Sequence, residues 1–197
     1  CLEDCALARQ LLPQLALVPP FRLFADTKAL GTIRLATAEV TAPVRRYLAG
    51  DRIGANQFMP SLAVATVARA RDLPHSAALR GDGTSRELRV GSIAIPVDRE
   101  GTFAIRWKGK KATPETISYT VVDFDKVIYA WAMINEGDEA AVNQAKSWLR
   151  QHFEGKIVVI GLTAVGLFDL RATPLSQRAA GVEIHANAID NLLHGEF

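Results

Sequence analysis

The feature that most constrains the fold is an apolar run, Ile157 to Ile160, that lies between two segments with helical spacing of apolar residues. The helical segments cover 138–153, with Gly155 as the stop, and 182–194. An apolar strand bracketed by two helices is typical of a parallel sheet that is covered on both faces. We therefore predict a strand over 156–161 in an α/β fold with a mixed, largely parallel sheet covered by helices.

Two further elements are predicted upstream of this run. Residues 88–107 alternate as an antiparallel hairpin, with a slip of phase at Gly91-Ser92 that indicates a bulge or a break, and with a turn at 98–101. Residues 62–69 form a helix that is apolar nearly all round and should be buried, and Pro60 suits its first residue. The tryptophans 107, 131 and 148 are expected to face the core.

The composition fits a single domain over 1–197. Hydrophobic residues make up 49% of the chain, which supplies enough apolar surface for a core, and no repeat or linker divides it. The net charge is +2 with both signs interspersed, so the chain lacks the basic surface that a nucleic-acid partner requires. No run reaches the roughly 18 apolar residues that span a bilayer.

A candidate small-molecule pocket lies beyond the carboxyl end of the predicted strand, where open α/β sheets usually bind ligands. Thr163 and Asp169 follow the strand in a long loop, and His185 and Asn187 lie on the last predicted helix. In the alternative interpretation Asp169 and Thr173 only satisfy loop amides, and His185 is a buried neutral imidazole bonded to a carbonyl or to Asp169.

The last predicted helix separates its side chains into two faces. The apolar side carries Val182, Ala186, Ile189 and Leu193, and the other side carries Glu183, Asn187, Asp190 and His194.

No pattern in the chain indicates a catalytic or metal site. A nucleophile, base and orienter could be drawn from Thr163 or Ser176, His185 and Asp169, but no elbow motif positions a serine. The histidines lack the spacing of a metal site, and the glycines of 161–166 lack the lysine of a phosphate loop. We therefore predict no catalytic residue, no metal and no cofactor.

A block near the carboxyl end carries a family resemblance. In order it contains Gly155-Lys156-Ile157-Val158, Ile160-Gly161, Asp169, Thr173-Pro174, Gly181-Val182-Glu183-Ile184-His185-Ala186-Asn187 and Leu192-Leu193. This order and spacing resemble the carboxyl end of the type-two CHASE domain, the extracytoplasmic sensor of bacterial membrane receptors. The likeness is strongest over 154–197 and continues upstream in Met59-Pro60-Ser61-Leu62-Ala63, in Ile95-Pro96-Val97-Asp98 with Gly101, and in Val44-Arg45-Arg46.

The resemblance implies a sensor domain that catalyses no reaction itself. In the family, transmembrane helices join such a domain to an adenylate or guanylate cyclase or a kinase. The resemblance therefore implies a membrane-anchored receptor with its sensor on the periplasmic or extracellular side, a small molecule or protein as stimulus, and a homodimer as one arrangement. The strands that usually open the family are not apparent, so we expect the amino-terminal part of the domain to be missing.

Two other functions stay open at this point. One is an α/β hydrolase-like enzyme that would use His185 and Asp169. The other is a periplasmic protein-interaction module, which would bind a partner protein but no small molecule.

Overall fold

The computed structural model describes residues 33, 42–52, 58–74, 77–81, 86–108, 120–161 and 169–197. Within these ranges the chain forms short strands and four helices. In chain order they are β1 Arg46–Leu48, β2 Gly50–Arg52, β3 Phe58–Pro60, α1 Leu62–Ala70, β4 Ala77–Arg80, β5 Arg86–Val90, β6 Ile93–Val97, β7 Thr102–Ala104, α2 Phe124–Glu136, α3 Glu139–Phe153, β8 Leu170–Thr173, β9 Ser176–Ala180 and α4 Gly181–His194.

All strand pairs in the described ranges are antiparallel. β4, β5 and β6 form a three-stranded sheet, while β1 pairs with β7, β2 with β3, and β8 with β9. The fold therefore mixes helices with small antiparallel sheets, and the predicted largely parallel sheet is wrong. For β2–β3, β4–β5–β6 and β8–β9 the physical reason is the shortness of the connections, because a short turn returns a strand antiparallel beside its predecessor, whereas parallel neighbours need a long crossover. β1 and β7 pair antiparallel across a long stretch of chain, so this reason does not apply to them.

The apolar run 156–161 is not a strand. Ile157, Val158 and Ile160 are 36%, 51% and 85% exposed, and of this run Val159 packs against the core. Among the described strands none pairs with the run. A short apolar run shows that its residues are hydrophobic, but it does not show which strand they would pair with. The predicted strand over 156–161 is therefore wrong.

The predicted antiparallel hairpin is present, but its strands pair differently. β5 and β6 pair from Arg86 opposite Val97 to Val90 opposite Ile93, so Gly91-Ser92 is the two-residue turn of the hairpin. Of the two predicted alternatives, the break between two strands is therefore correct and the bulge is wrong. Gly91 has φ of 57°, the left-handed conformation that such turns favour. β7 pairs with β1 and not with β6, so the turn at 98–101 carries the chain from one sheet to another.

Polar side chains hold that turn in place. The Asp98 carboxylate accepts hydrogen bonds from Glu100 N at 3.0 Å, Thr102 N at 2.8 Å and Thr102 Oγ1 at 2.6 Å, and it lies 2.9 Å from Arg46 Nε on β1. Burial opposes ionisation of Asp98, but the bonds from Thr102 and the charge of Arg46 outweigh it and lower the pKa of this carboxyl. The turn is thereby tied to β1.

The segment 170–180 also departs from the prediction, because it forms the hairpin of β8 and β9 where a loop was expected. Thr173 Oγ1 accepts hydrogen bonds from Leu175 N at 3.3 Å and Ser176 N at 3.1 Å. Thr173 therefore satisfies turn amides, as the alternative interpretation of its side chain predicted.

Helices α1 and α4 enclose the core together with the strands. Ser61 Oγ caps α1 by accepting a hydrogen bond from Val64 N at 3.4 Å, and Pro60 lies in β3, so its predicted place as the first helical residue is wrong. The predicted burial of α1 is confirmed. The largest fully buried side chains of the described core include Tyr47, Phe103, Leu88, Ile95, Ile184 and Leu192.

Helices α2 and α3 form a helical hairpin joined at Gly137-Asp138. The predicted helix over 138–153 is confirmed as α3, which Asp138 caps by accepting a hydrogen bond from Ala141 N at 2.8 Å. Helix α2 was not predicted. In the described part of the chain α2 buries only Ala130, so the prediction that Trp131 faces the core is wrong. None of the described helices is long and apolar enough to cross a membrane.

Candidate functional site

The amino end of α4 is closely packed against two preceding segments. Gly181 N donates a hydrogen bond to Asp169 O at 2.8 Å, and the Asp169 carboxylate lies so close to the Gly181 Cα that a Cβ there would collide with it. Gly161 lies equally close to the side chain of Val182. A carboxylate at this position is favoured by the positive end of the helix dipole. Both glycines of the carboxyl-terminal block therefore permit close approach to α4.

His185 follows one turn later on α4 and is half-buried. Its Nδ1 lies 2.6 Å from the hydroxyl oxygen of Tyr47, and the two rings meet edge to face with centroids 5.6 Å apart. Burial raises the pKa of the Tyr47 phenol, so the hydroxyl stays neutral and can donate to an unprotonated Nδ1. Burial also lowers the pKa of His185 and outweighs the opposing charge of Asp169. The site thus holds a neutral imidazole between a buried phenol and an exposed carboxylate.

Two buried asparagines face the other way on α4 and bind a backbone segment. Asn191 Oδ1 accepts from Arg106 N at 2.9 Å, and its Nδ2 donates to Arg106 O at 3.0 Å. Asn187 Oδ1 accepts from Lys108 N at 3.0 Å, and its Nδ2 donates to Glu183 O at 2.9 Å. These amides fix the segment 106–108 along one side of the helix.

Charged groups attach the carboxyl end of α4 to its surroundings. Lys108 Nζ lies 2.7 Å from Asp190 Oδ2 and 2.8 Å from Glu196 Oε2. Hydrogen bonds to Asp190 and Glu196 raise the pKa of Lys108, and the bond from Lys108 lowers the pKa of Glu196. Arg71 Nη2 donates to Leu193 O at 2.5 Å, which joins α4 to the end of α1.

The chain matches the model of the CHASE2 domain over residues 4–197, which is nearly all of its length. It belongs to the CHASE2 domain family. CHASE2 domains are extracellular sensory domains of signalling receptors, and they are sensory rather than catalytic. Searches of the curated proteins and of the solved structures found no match.

In this CHASE2 domain only part of the predicted ligand site is brought together. Asp169 and His185 lie close enough for the Asp169 charge to act on the imidazole. Asn187 points to the segment 106–108, and Thr163 lies outside the described residues. Tyr47 belongs to the site but was missed, because it stands 138 positions away from His185 in the sequence.

The faces of α4 also differ from the predicted ones. Of the predicted apolar side, Ile189 lies in the core and Leu193 packs against it, but Ile184, Ala188 and Leu192 also belong to the core contact. The polar residues Asn187, Asp190 and Asn191 are buried too. The predicted pattern assumed one apolar side, whereas α4 packs against the core on one side and against a polar backbone on another. The sequence did contain one signal for this polar contact. Asn187 and Asn191 are four residues apart and therefore share a helix face.

A metal site would need several acidic or histidine side chains close together. Among the residues that the structure describes, no group of three or more His, Cys, Asp or Glu side chains is placed to hold a metal ion.

The pKa of His185 makes the stability of this CHASE2 domain dependent on pH. The folded state binds the imidazole proton less readily than the unfolded chain, whose histidine pKa is about 6.5. The contribution to stability is therefore complete above about pH 6.5 and is lost as the pH falls toward the folded pKa. We expect the free energy of unfolding, measured with urea, to decrease between about pH 7.5 and about pH 5.5.

The variant His185→Gln removes the titration and should flatten this decrease, whereas the control His152→Gln on α3 should retain it. An equal decrease in wild type and His185→Gln would contradict the assignment.

Proposed function

We propose that this CHASE2 domain is the ligand-sensing part of a bacterial transmembrane receptor that controls an adenylate or guanylate cyclase or a kinase. The domain lies on the periplasmic or extracellular side of the cytoplasmic membrane, and transmembrane helices join it to the output domain. The observation that carries the proposal is the position of α4. The amino half of α4 contacts Asp169 and Tyr47, and its asparagines bind the segment 106–108.

The ligand is proposed to bind at the amino end of α4. The Asp169 carboxylate is exposed and can accept hydrogen bonds from amine or hydroxyl groups of a ligand. His185 lies beside it, and Thr163 is proposed to complete the site. Asn187 is proposed to contribute by holding the segment 106–108 to the same helix, so that its effect on the ligand is indirect.

A ligand changes the output only by binding one conformation of the domain more tightly than another. Gly181, the first residue of α4, lies against the Asp169 carboxylate, and Gly161 lies against Val182, so the position of the amino end of this helix is sensitive to the position of Asp169. A ligand that moves the carboxylate would therefore shift α4, and the bonds from Lys108 and Arg71 would shift with its carboxyl end. We propose this helix displacement as the signal.

Ligand binding can be tested by thermal unfolding in the presence of a metabolite collection that is rich in amines and polyols. A ligand of the proposed site should raise the Tm of the wild type, because it binds only the folded state. The rise should disappear in Asp169→Asn and persist in the control Glu139→Gln, which changes an exposed carboxylate on α3. A rise that is equal in both variants would place the ligand elsewhere and contradict the proposed site.

The proposed location can be tested in intact cells of the bacterium that encodes the chain. The native gene would carry Cys1→Ser and Cys5→Ser together with Asn143→Cys, which lies at an exposed position of α3. A maleimide that cannot cross the cytoplasmic membrane should label this cysteine without lysis. Labelling only after lysis would contradict an extracytoplasmic location. Addition of a confirmed ligand should then change cellular cyclic nucleotide or receptor phosphorylation.

A further inference from the structure

Helix α2 is apolar on two opposite sides, although a surface helix normally has one apolar stripe. One side contacts α3 through Ala130, the only residue of α2 that is buried in the described structure. The opposite side carries Phe124, Ile128 and Trp131, which are 65%, 52% and 63% exposed. An exposed stripe of large apolar side chains is normally covered by another surface, so something should cover this second side.

The exposed side has the residue spacing of a helix that pairs with another helix. Phe124, Ile128, Trp131 and Asn135 are separated by four, three and four residues, which is the spacing of the core positions of a coiled coil. We call these residues the α2 seam. In this register Ile128 and Asn135 take the a positions, where an asparagine favours a two-stranded pairing. The charged residues Asp125, Lys126 and Glu136 lie off the seam, so two seams can meet without burying charge.

We propose that the α2 seam is an interface between two copies of this chain, whose α2 helices pair in parallel about a two-fold axis that runs along the seam. Such an interface is self-complementary, because the same surface contributes from both copies. The uncharged seam suits an identical surface, since neither copy has to supply an opposite charge. This proposal does not depend on the proposed sensory function.

The size of the seam sets the expected strength of the pairing. From the exposed fractions, its three large side chains would bury roughly 700 Å² across two copies, using about 200 Å² for each whole side chain. The flanking apolar residues Val121 and Ile134 bring the total toward about 1,000 Å², the lower limit for a biological interface. The isolated chain should therefore dimerise weakly and reversibly.

The first test is the mass of the full chain in solution over about a 100-fold range of concentration, by sedimentation velocity. The wild type should shift from monomer toward dimer as the concentration rises. Ile128→Glu places a charge on the seam at a position that is already half exposed, so the fold should persist. This change should raise the dimer Kd at least about tenfold. The matched control Ser147→Glu, at an exposed position of α3, should dimerise like the wild type.

The second test traps the dimer in a Cys1→Ser, Cys5→Ser background. Ile128→Cys should give a cross-linked dimer with a short bismaleimide, and Ser147→Cys should not. A chain that stays monomeric at every concentration and gives no product at residue 128 would overturn the proposal. The same conclusion would follow if the seam were protected from solvent in a monomer, or if it bound lipid vesicles and gave no cross-linked product.

Discussion

Replacing Asn191 with alanine is expected to lower the free energy of unfolding by about 2–3 kcal/mol, the largest loss among the changes considered for α4. Asn191 is fully buried, and its amide both accepts from Arg106 N and donates to Arg106 O. The alanine variant loses both bonds and leaves the two backbone groups of Arg106 without these partners. Urea unfolding should show a lower midpoint with an unchanged slope.

Two further asparagine variants should lose less stability than Asn191→Ala. Asn187→Ala removes only one bond to another segment, the one from Lys108 N, and should cost roughly half as much as Asn191→Ala. The control Asn143→Ala changes an exposed asparagine of α3 and should stay within about 0.5 kcal/mol of the wild type. If Asn191→Ala were as stable as the Asn143→Ala control, the two amide bonds would not hold the segment 106–108 as described.

The second large effect is expected at Tyr47. Tyr47→Phe should lower the free energy of unfolding by about 1–3 kcal/mol, because it leaves His185 Nδ1 without its hydroxyl partner in a half-buried site. The ring of Tyr47 is fully buried against Phe103 and is retained in the variant, so packing should change little. Tyr129→Phe removes a hydroxyl from a side chain that is 66% exposed and should have almost no effect.

A double-mutant cycle isolates the hydrogen bond between Tyr47 and His185. When both polar groups are removed, as in Tyr47→Phe with His185→Leu, neither side of this hydrogen bond is left unpaired. The hydrogen bonds of the Tyr47 hydroxyl with the Ser61 side chain and the Ala63 backbone are lost in Tyr47→Phe and in the double variant alike, so they cancel in the cycle. The double variant should therefore be more stable than the sum of the two single losses predicts, by about 1 kcal/mol. Strict additivity of the two losses would show that the hydroxyl and the imidazole do not interact.

Elements with local signals were predictable from the sequence. Helix α3 has apolar residues at helical spacing, Asp138 as its cap and Gly155 after its end, and each of these acts within a few residues of the helix. The position of the turn at Gly91-Ser92 was predicted, but a bulge and a break between two strands were both left open there. The period of the flanking strands cannot by itself separate a bulge from a two-residue turn.

Contacts between distant parts of the chain could not be predicted in this way. Asn191 and Arg106 are 85 positions apart, and Tyr47 and His185 are 138 apart. A helical pattern shows which side chains share a face, but not whether that face meets solvent or a polar backbone. The candidate site was therefore found in part, with Asp169 and His185 together, without Tyr47 and with Asn187 turned toward another segment.

The missed helix and the incorrect strand have a common physical origin. Helix α2 has apolar residues on two opposite sides, and the run Ile157 to Ile160 is apolar throughout, so neither shows a simple contrast between one polar and one apolar face. Burial was expected for Trp131 and for the run. The structure instead leaves Ile160 and Trp131 largely exposed.

Asn191 of α4 also occupies backbone groups that a further β-strand could otherwise pair with. Asn191 makes with Arg106 the same pair of bonds that a residue of a neighbouring antiparallel strand would make. A strand donated by another polypeptide would need these same backbone groups, and the helix already occupies them. The extended backbone at Arg106, just beyond β7, is thereby closed to strand addition, which is one way in which proteins avoid edge-to-edge aggregation.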